Sequence, residues 1–356
     1  MKIALVAPPF IPVPPLRYGG TELFIAHLAE ALVALGHLPV VYTNGQSQVR
    51  CERRSLFPQA EWPIATELHG SLKDLTHSGW ACANAARDCD VIHLSNAPGL
   101  AFSQTIATPI VYTLHHPHAP ALSDFYRHYP AVHYVAISQA QARREKMPHL
   151  TTIPHGLDLS AYRLGTGRRE YLCFIGRICP QKGTHLAIAA AKLAGIPLKL
   201  AGEIQPMYRA YWEQTVLPEV DGRFIEYVGE VDLEAKNVLL GGARALLFPI
   251  QWEEPFGLVM LEAMACGAPV LAFPQGSVPE VVVPGRSGWL CGDVAEMAGR
   301  ARDLAIPPAS CRSHVEQNFS LERMAASYVQ VYRQAVRQTA PGPRTVPARA
   351  LLRTAV

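Results

Sequence analysis

The chain has 356 residues, 49% of them hydrophobic and 17% charged, with eight cysteines and a net charge of +3. That length fits two domains, since one hydrophobic core stops growing near ~250–300 residues, and the composition excludes a disordered chain. No apolar run approaches the ~18 residues that span a bilayer, the opening stretch Ile3–Ala7 is too short for a secretory signal, and the charge is too mild to mark a nucleic-acid binder.

In chain order, Ile3–Ala7 reads as a strand. Thr21–Leu35 reads as a helix with Leu23, Phe24, Leu28, Ala31, Leu32 and Leu35 on one face, stopped by Gly36. Val40–Thr43, Val91–Leu94, Ile110–Leu114 and Val132–Ile137 are further strands, mostly apolar, as strands buried on both faces of a parallel sheet must be. The polar segment Leu159–Arg169 reads as a linker. The rhythm then restarts with a strand at Tyr171–Ile175 and a helix at Thr184–Leu193. Strands follow at Leu198–Ala201, Phe224–Val228, Ala245–Pro249 and Val270–Phe273. Ser320–Arg337 is a long amphipathic helix, and the proline-bearing end, Thr339–Val356, reads as a mobile tail. With no export signal and no C-x-x-C pair, the cysteines are expected to be reduced thiols of a cytoplasmic protein.

Two successive βαβ series predict an α/β protein of two Rossmann-like, doubly wound domains facing across a cleft. The expected parts are 1–162, 163–320, a helix at 321–338 and a tail at 339–356. Ligands of such sheets bind beyond the carboxyl ends of the strands, so the residues just after each strand carry the chemistry.

The most informative stretch runs from Trp252 to Val270. It opens a helix near Gly257, with Glu254 before it and Glu262 inside it. The first turn of a helix has unpaired N–H groups and a partial positive charge. Phe256, Gly257, Leu258 and Val259 can therefore present N–H groups to an anion, and Gly257 permits close approach. An anion pocket between two hydroxyl-accepting carboxylates has the shape of a nucleotide sugar. On these residues alone, a solvated helix start with an ordinary carboxylate reads equally well, although the apolar neighbours of Glu262 weigh against a surface position.

Three more stretches follow strands. Phe174–Gly183 places Arg177 and Lys182 where they are either diphosphate-binding cations or surface charges. Tyr18-Gly-Gly-Thr-Glu22 offers paired glycines, Gly19 and Gly20, as an N–H nest or a plain turn; Glu22 is a donor contact or only a first-turn acid. Tyr112–His118 holds His115, His116 and His118. A metal reading of these needs a carboxylate and a supporting shell, and neither is evident. Three other features read as structure. Ser138 is a helix N-cap and Asp158 a turn residue, while Asp88-Cys-Asp90, formally D-x-D, is a polar turn because it precedes its strand.

Glu254 and Glu262 in E-x-x-x-x-x-x-x-E spacing, Gly267-Ala-Pro-Val-Leu-Ala272 and Gly276-Ser-Val-Pro-Glu280 together resemble the large family of retaining GT-B glycosyltransferases, group 1 and family 4-like. The resemblance runs from Lys2 to about Arg337. It implies that Glu262 holds the ribose hydroxyls, that Glu254 meets the transferred sugar, and that the Phe256–Val259 backbone binds phosphate and sugar oxygens. It gives Arg177 and Lys182 the diphosphate, and makes Gly19 and Gly20 donor contacts. It puts His115 beside the sugar, with His116 as runner-up, and completes a catalytic set of His115, Glu254, Arg177 and Lys182. Gly202 and Val231, in loops with Glu203, Gly229 and Glu230, fall where the family meets the nucleobase. His155 stands where the family usually has Asn. The final helix is implied to cross back to the first domain.

The implied activity is metal-independent transfer of a sugar, with retention, from a nucleoside-diphosphate sugar to an acceptor hydroxyl. A UDP-sugar is the first choice of donor, with GDP or ADP open. The acceptor is a small molecule, a glycan or a lipid-linked group, lying against Pro8–Arg17 and His115–His118. No cofactor beyond this co-substrate, no nucleic acid and no transmembrane segment are expected. The rival readings are a sugar phosphorylase or nucleotide-sugar epimerase of the same fold, a two-lobed solute-binding protein, and a nicotinamide oxidoreductase. The last lacks its G-x-G-x-x-G after the first strand.

Overall fold

The structure is a computed structural model that describes residues 1–17 and 19–339. Tyr18 and the expected tail beyond Thr339 lie outside the described residues. Seven parallel strands form the first sheet: β1 (Lys2–Val6), β2 (Leu38–Thr43), β3 (Glu52–Ser55), β4 (Val91–Leu94), β5 (Ile110–Leu114), β6 (His133–Ala136) and β7 (Leu150–Thr152). Their order is β3-β2-β1-β4-β5-β6-β7. Six parallel strands form the second: β8 (Tyr171–Ile175), β9 (Leu198–Ala201), β10 (Ile225–Tyr227), β11 (Ala243–Phe248), β12 (Val270–Ala272) and β13 (Gly288–Leu290), in the order β10-β9-β8-β11-β12-β13. In each sheet the winding reverses beside the first strand, at β1 and at β8, which opens a crevice at the strand ends.

The helices on the first sheet are α1 (Gly20–Ala34), α2 (Glu67–Ala85), α3 (Pro120–Arg127) and α4 (Gln139–Ala142). Those on the second are α5 (Thr184–Ala194), α6 (Arg209–Tyr211), α7 (Leu233–Gly241), α8 (Leu258–Ala265), α9 (Val278–Val281), α10 (Val294–Arg302) and α11 (Pro308–Asn318). The last helix, α12 (Leu321–Thr339), follows the second sheet in sequence but packs against α1 and the first sheet. Its Met324, Tyr328 and Tyr332 share a core with Leu28 and Val111. The Tyr332 hydroxyl lies 2.7 Å from His93 Nδ1, and the Tyr328 hydroxyl 2.9 Å from Thr113 Oγ1.

The central strands are buried on both faces, and β4 has no exposed position at all. β3 differs: Glu52-Arg-Arg-Ser is charged and mostly exposed, as an edge strand must be to avoid pairing with another chain. Asp88 takes ion pairs from Lys2 and Arg54, and Asp90 accepts the Lys2 amide, so the D-x-D stretch is a polar turn at the sheet's lower end. The segment after β7 is bound rather than loose. The Arg312 guanidinium donates to the carbonyls of Leu159 and Tyr162, and the Tyr162 ring is buried in the second core. Among the described residues, no helix is long and apolar enough to cross a membrane.

Candidate active site

The carboxyl ends of both sheets line one cavity of about 420 Å³. From the first sheet come Gly19 and Gly20, at the start of α1, and His115 and His116, just past β5. From the second come Arg177 and Lys182 after β8, and Glu254, Phe256, Gly257, Leu258, Val259 and Glu262 around the start of α8. Gly202 and Val231 also line it, with Glu203 and Glu230, whereas Gly229 does not. Apart from Glu22 and Gly229, every residue expected to bind donor therefore lies on one cavity, although the two halves are far apart in sequence.

Gly257 opens α8 in the left-handed region, with φ +79°, a conformation that favours glycine. Among the described residues no side chain caps the α8 N-terminus. The Met260 amide donates to the Gly257 carbonyl, and the Leu258 and Val259 amides are left toward the cavity with the helix dipole behind them. α1 likewise starts, after Gly19, without a side-chain cap from the described residues.

Lys182 Nζ lies 2.5 Å from Glu254 Oε2, and the same oxygen accepts Trp252 Nε1 at 2.7 Å. The ammonium also sits 4.9 Å from the centre of the Trp252 ring, a distance at which the ring face attracts a cation. Glu262 is held through one oxygen as well. Its Oε1 accepts the Tyr162 hydroxyl at 2.8 Å and Lys236 Nζ at 2.6 Å. Burial, and then the Glu262 carboxylate, push the Tyr162 phenol far above its ordinary value, so it stays a donor. Tyr162 and Lys236 escaped the sequence reading because one lay in the presumed linker and the other in a helix with no recognisable motif.

His115 packs against Phe24, with ring centres 5.1 Å apart, and lies nearly parallel to His155 at 5.9 Å. Its Nε2 is buried without a hydrogen-bond partner among the described residues. Burial, reinforced by His155 and His116, holds its pKa well below the ordinary value, so the imidazole is neutral. His155 is buried too, lines the same cavity beside Phe256, and is pushed down to about 3 by burial. His118 turns away to Glu145, at 3.0 Å, and Ser123, at 3.1 Å. No three His, Cys, Asp or Glu side chains converge into a metal-holding group among the described residues. Glu22 is buried, and burial pushes its carboxyl up to about 7. Asp158 and Ser138 act locally, accepting the Ser160 and Gln141 amides respectively.

Two protein-family models match the chain. "Glycosyltransferase Family 4" matches residues 18–161 and "Glycosyl transferases group 1" matches residues 169–305, so that together they span most of it. Among curated proteins, glycogen synthase of Mycobacterium tuberculosis is 27% identical, covering 93% of this chain and 95% of its own. Among solved structures, sucrose-phosphate synthase of Thermosynechococcus elongatus superposes with a TM-score of 0.78 at 22% identity, covering 95% of this chain and 99% of its own. HepE of Anabaena, solved in complex with UDP and glucose, gives 0.74 at 18% identity over 94% of this chain and 100% of its own.

Proposed function

The chain belongs to the GT-B glycosyltransferases, and from that premise we propose that it transfers a hexose from UDP to an acceptor hydroxyl with retention and without a metal. One observation carries this reading. Arg177, Lys182 and the uncapped α8 N-terminus share a single cavity with two carboxylates, Glu254 and Glu262. Cations and helix amides suit a diphosphate. Glu262, with Oε1 already taken by Tyr162 and Lys236, keeps Oε2 for a ribose hydroxyl. Glu254 and neutral His115 are left for the transferred sugar. The choice of UDP draws support from the Anabaena structure, which holds UDP and glucose.

In the reaction we propose, the bond between the sugar and the diphosphate breaks while the acceptor oxygen attacks from the same face. The leaving phosphate oxygen takes the acceptor's proton, and Arg177, Lys182 and the α8 amides stabilise the charge that develops on it. Domain closure and positioning supply the remainder. Unlike retaining glycosidases, this route needs no pair of carboxylates about 5–5.5 Å apart with one acting as nucleophile. A cytoplasmic location and a hydroxyl acceptor near Pro8–Arg17 belong to the same proposal.

Thermal stabilisation by UDP, GDP, ADP and dTDP, each with and without magnesium, tests it, because a ligand of the folded state raises stability as RT ln(1 + [L]/Kd). The expected result is a shift with UDP that magnesium does not change and that Glu262→Ala abolishes. No shift with any nucleotide sinks the donor assignment. Phosphate-dependent cleavage, or turnover of the nucleotide sugar with no acceptor, points instead to the phosphorylase or the epimerase.

A further inference from the structure

The stretch Gly276-Ser-Val-Pro-Glu280 follows β12, but no binding or catalytic role above uses it. Its turn is locked onto the donor loop. The Ser277 amide donates to the Glu254 carbonyl at 2.9 Å, and Ser277 Oγ donates to the Phe256 carbonyl at 2.8 Å. Gly276 lies so close that a Cβ there would run into the Glu254 backbone. α9, which starts at Val278, is therefore fixed relative to Glu254 and Phe256.

From α9, Glu280 reaches across to the first domain. Its two carboxylate oxygens accept the amides of Gln139 and Ala140, at 2.7 and 2.6 Å. These are the first two amides of α4, and Ser138 Oγ accepts the third, from Gln141. A carboxylate at a helix N-terminus makes strong, charge-assisted bonds. α4 in turn carries Gln141, whose buried side-chain amide donates to the carbonyls of Leu114 and His116, at 2.9 and 2.8 Å. Those carbonyls lie on either side of His115.

We propose that Glu280 is a positioning residue that sets the His115 turn in register with the Glu254–Phe256 donor loop when the two domains close. The connection is continuous: donor loop, Ser277, Glu280, the α4 amides, Gln141, the His115 turn. It accounts for the capping of the short α4 and for the burial of Gln141, whose NH2 group serves the His115 turn while its oxygen accepts the Ile137 amide at 2.8 Å. The proposal rests on the transferase reading of the cavity, in which His115 faces the sugar. Glu280 itself is exposed and does not line the cavity.

The test uses the full chain with Glu280→Ala and Glu280→Gln. Hydrogen exchange is measured first without ligand, at residues 139–142 and 114–118. Both segments are expected to exchange about tenfold faster in Glu280→Ala, with Glu280→Gln between, because local opening sets these rates. Release of UDP from UDP-glucose into water is measured next. The expected loss in kcat is roughly tenfold, since small misplacements of reacting groups cost rates of this order, while KM and the thermal shift by UDP stay within about twofold. In a His115→Ala background, Glu280→Ala should add less than about twofold. Unchanged exchange at 114–118, or an equal kcat loss in both backgrounds, overturns the proposal. A wild-type protein that neither binds UDP nor cleaves UDP-glucose overturns the functional reading instead, and the exchange measurement still decides the role of Glu280.

Discussion

Lys182 and Glu254 hold each other inside the cavity, Nζ to Oε2 at 2.5 Å, with Trp252 Nε1 closing on the same oxygen. Two groups expected to grip different parts of one donor are thus oriented by each other before any donor arrives. Such mutual orientation is a form of preorganisation: on the proposed mechanism the half-buried ammonium is already aimed where diphosphate charge would develop.

On the proposed mechanism, Lys182→Ala removes a transition-state contact and leaves the buried Glu254 carboxylate with the Trp252 donor but no paired cation. The expected loss in kcat is about 10²-fold or more, near ~3 kcal/mol, by analogy with removal of one oxyanion donor. Lys182→Ala in a Glu254→Gln background should cost less than the sum of the two single losses, since the residues share one interaction. Steady-state kinetics on the four proteins decides it; additive losses would show that the pair does not act as a unit.

Glu262 depends on Tyr162 and Lys236 for its orientation. Tyr162→Phe keeps the buried ring and removes one donor, at a cost of about 1–3 kcal/mol because that donor serves a charged acceptor. UDP affinity is expected to fall roughly tenfold, and preference for UDP over 2′-deoxy-UDP should shrink with it. Titration calorimetry with both nucleotides reads this directly. Undiminished discrimination would remove Glu262 from the ribose.

Glu22 makes a pH prediction. Burial pushes its folded-state pKa up to about 7, from an ordinary value of 4.5. Between those values the folded protein binds the proton and the unfolded chain does not. Stability from this group is therefore full below pH 4.5 and falls as pH rises to about 7, by as much as roughly 3 kcal/mol. Glu22→Gln should abolish that component, so the difference in urea stability between variant and wild type should grow from pH 5 to pH 7.5 in favour of the variant. A constant difference across that range would contradict the assignment.

The sequence showed the two βαβ series and the cavity residues because their signals are local: apolar runs for central strands, and glycines and charges just after them. What it hid was carried by contacts distant in the chain. β3 is charged, as an edge strand should be, and so lacks an apolar pattern. Tyr162 and Lys236 reach Glu262 from 100 and 26 positions away, and Gln141 reaches the His115 turn from another strand connection. Side chains that act by holding another residue have no motif of their own, because their partner is set by the fold. His155 is a subtler case. It stands where the family usually has Asn, yet its place on the cavity wall is set by the turn after β7, whatever residue occupies it.

The final helix offers a test of how the two halves are tied together. α12 covers the first domain, and its Tyr332 is wholly buried with its hydroxyl 2.7 Å from His93 Nδ1. The other His93 nitrogen is 2.7 Å from Thr113 Oγ1, and Tyr328 meets the same threonine oxygen. Burial holds the His93 pKa down to about 3, so the ring is neutral and needs one donor and one acceptor. Tyr332→Phe keeps the ring packing but leaves His93 Nδ1 without a partner in a site closed to water. The cost expected is about 1–3 kcal/mol, seen as a lower urea midpoint. Because the cavity residues of the second domain do not touch this network, UDP affinity should stay within about twofold of wild type. A large loss of UDP affinity with unchanged stability would mean that α12 acts on the cavity rather than on the first domain's core.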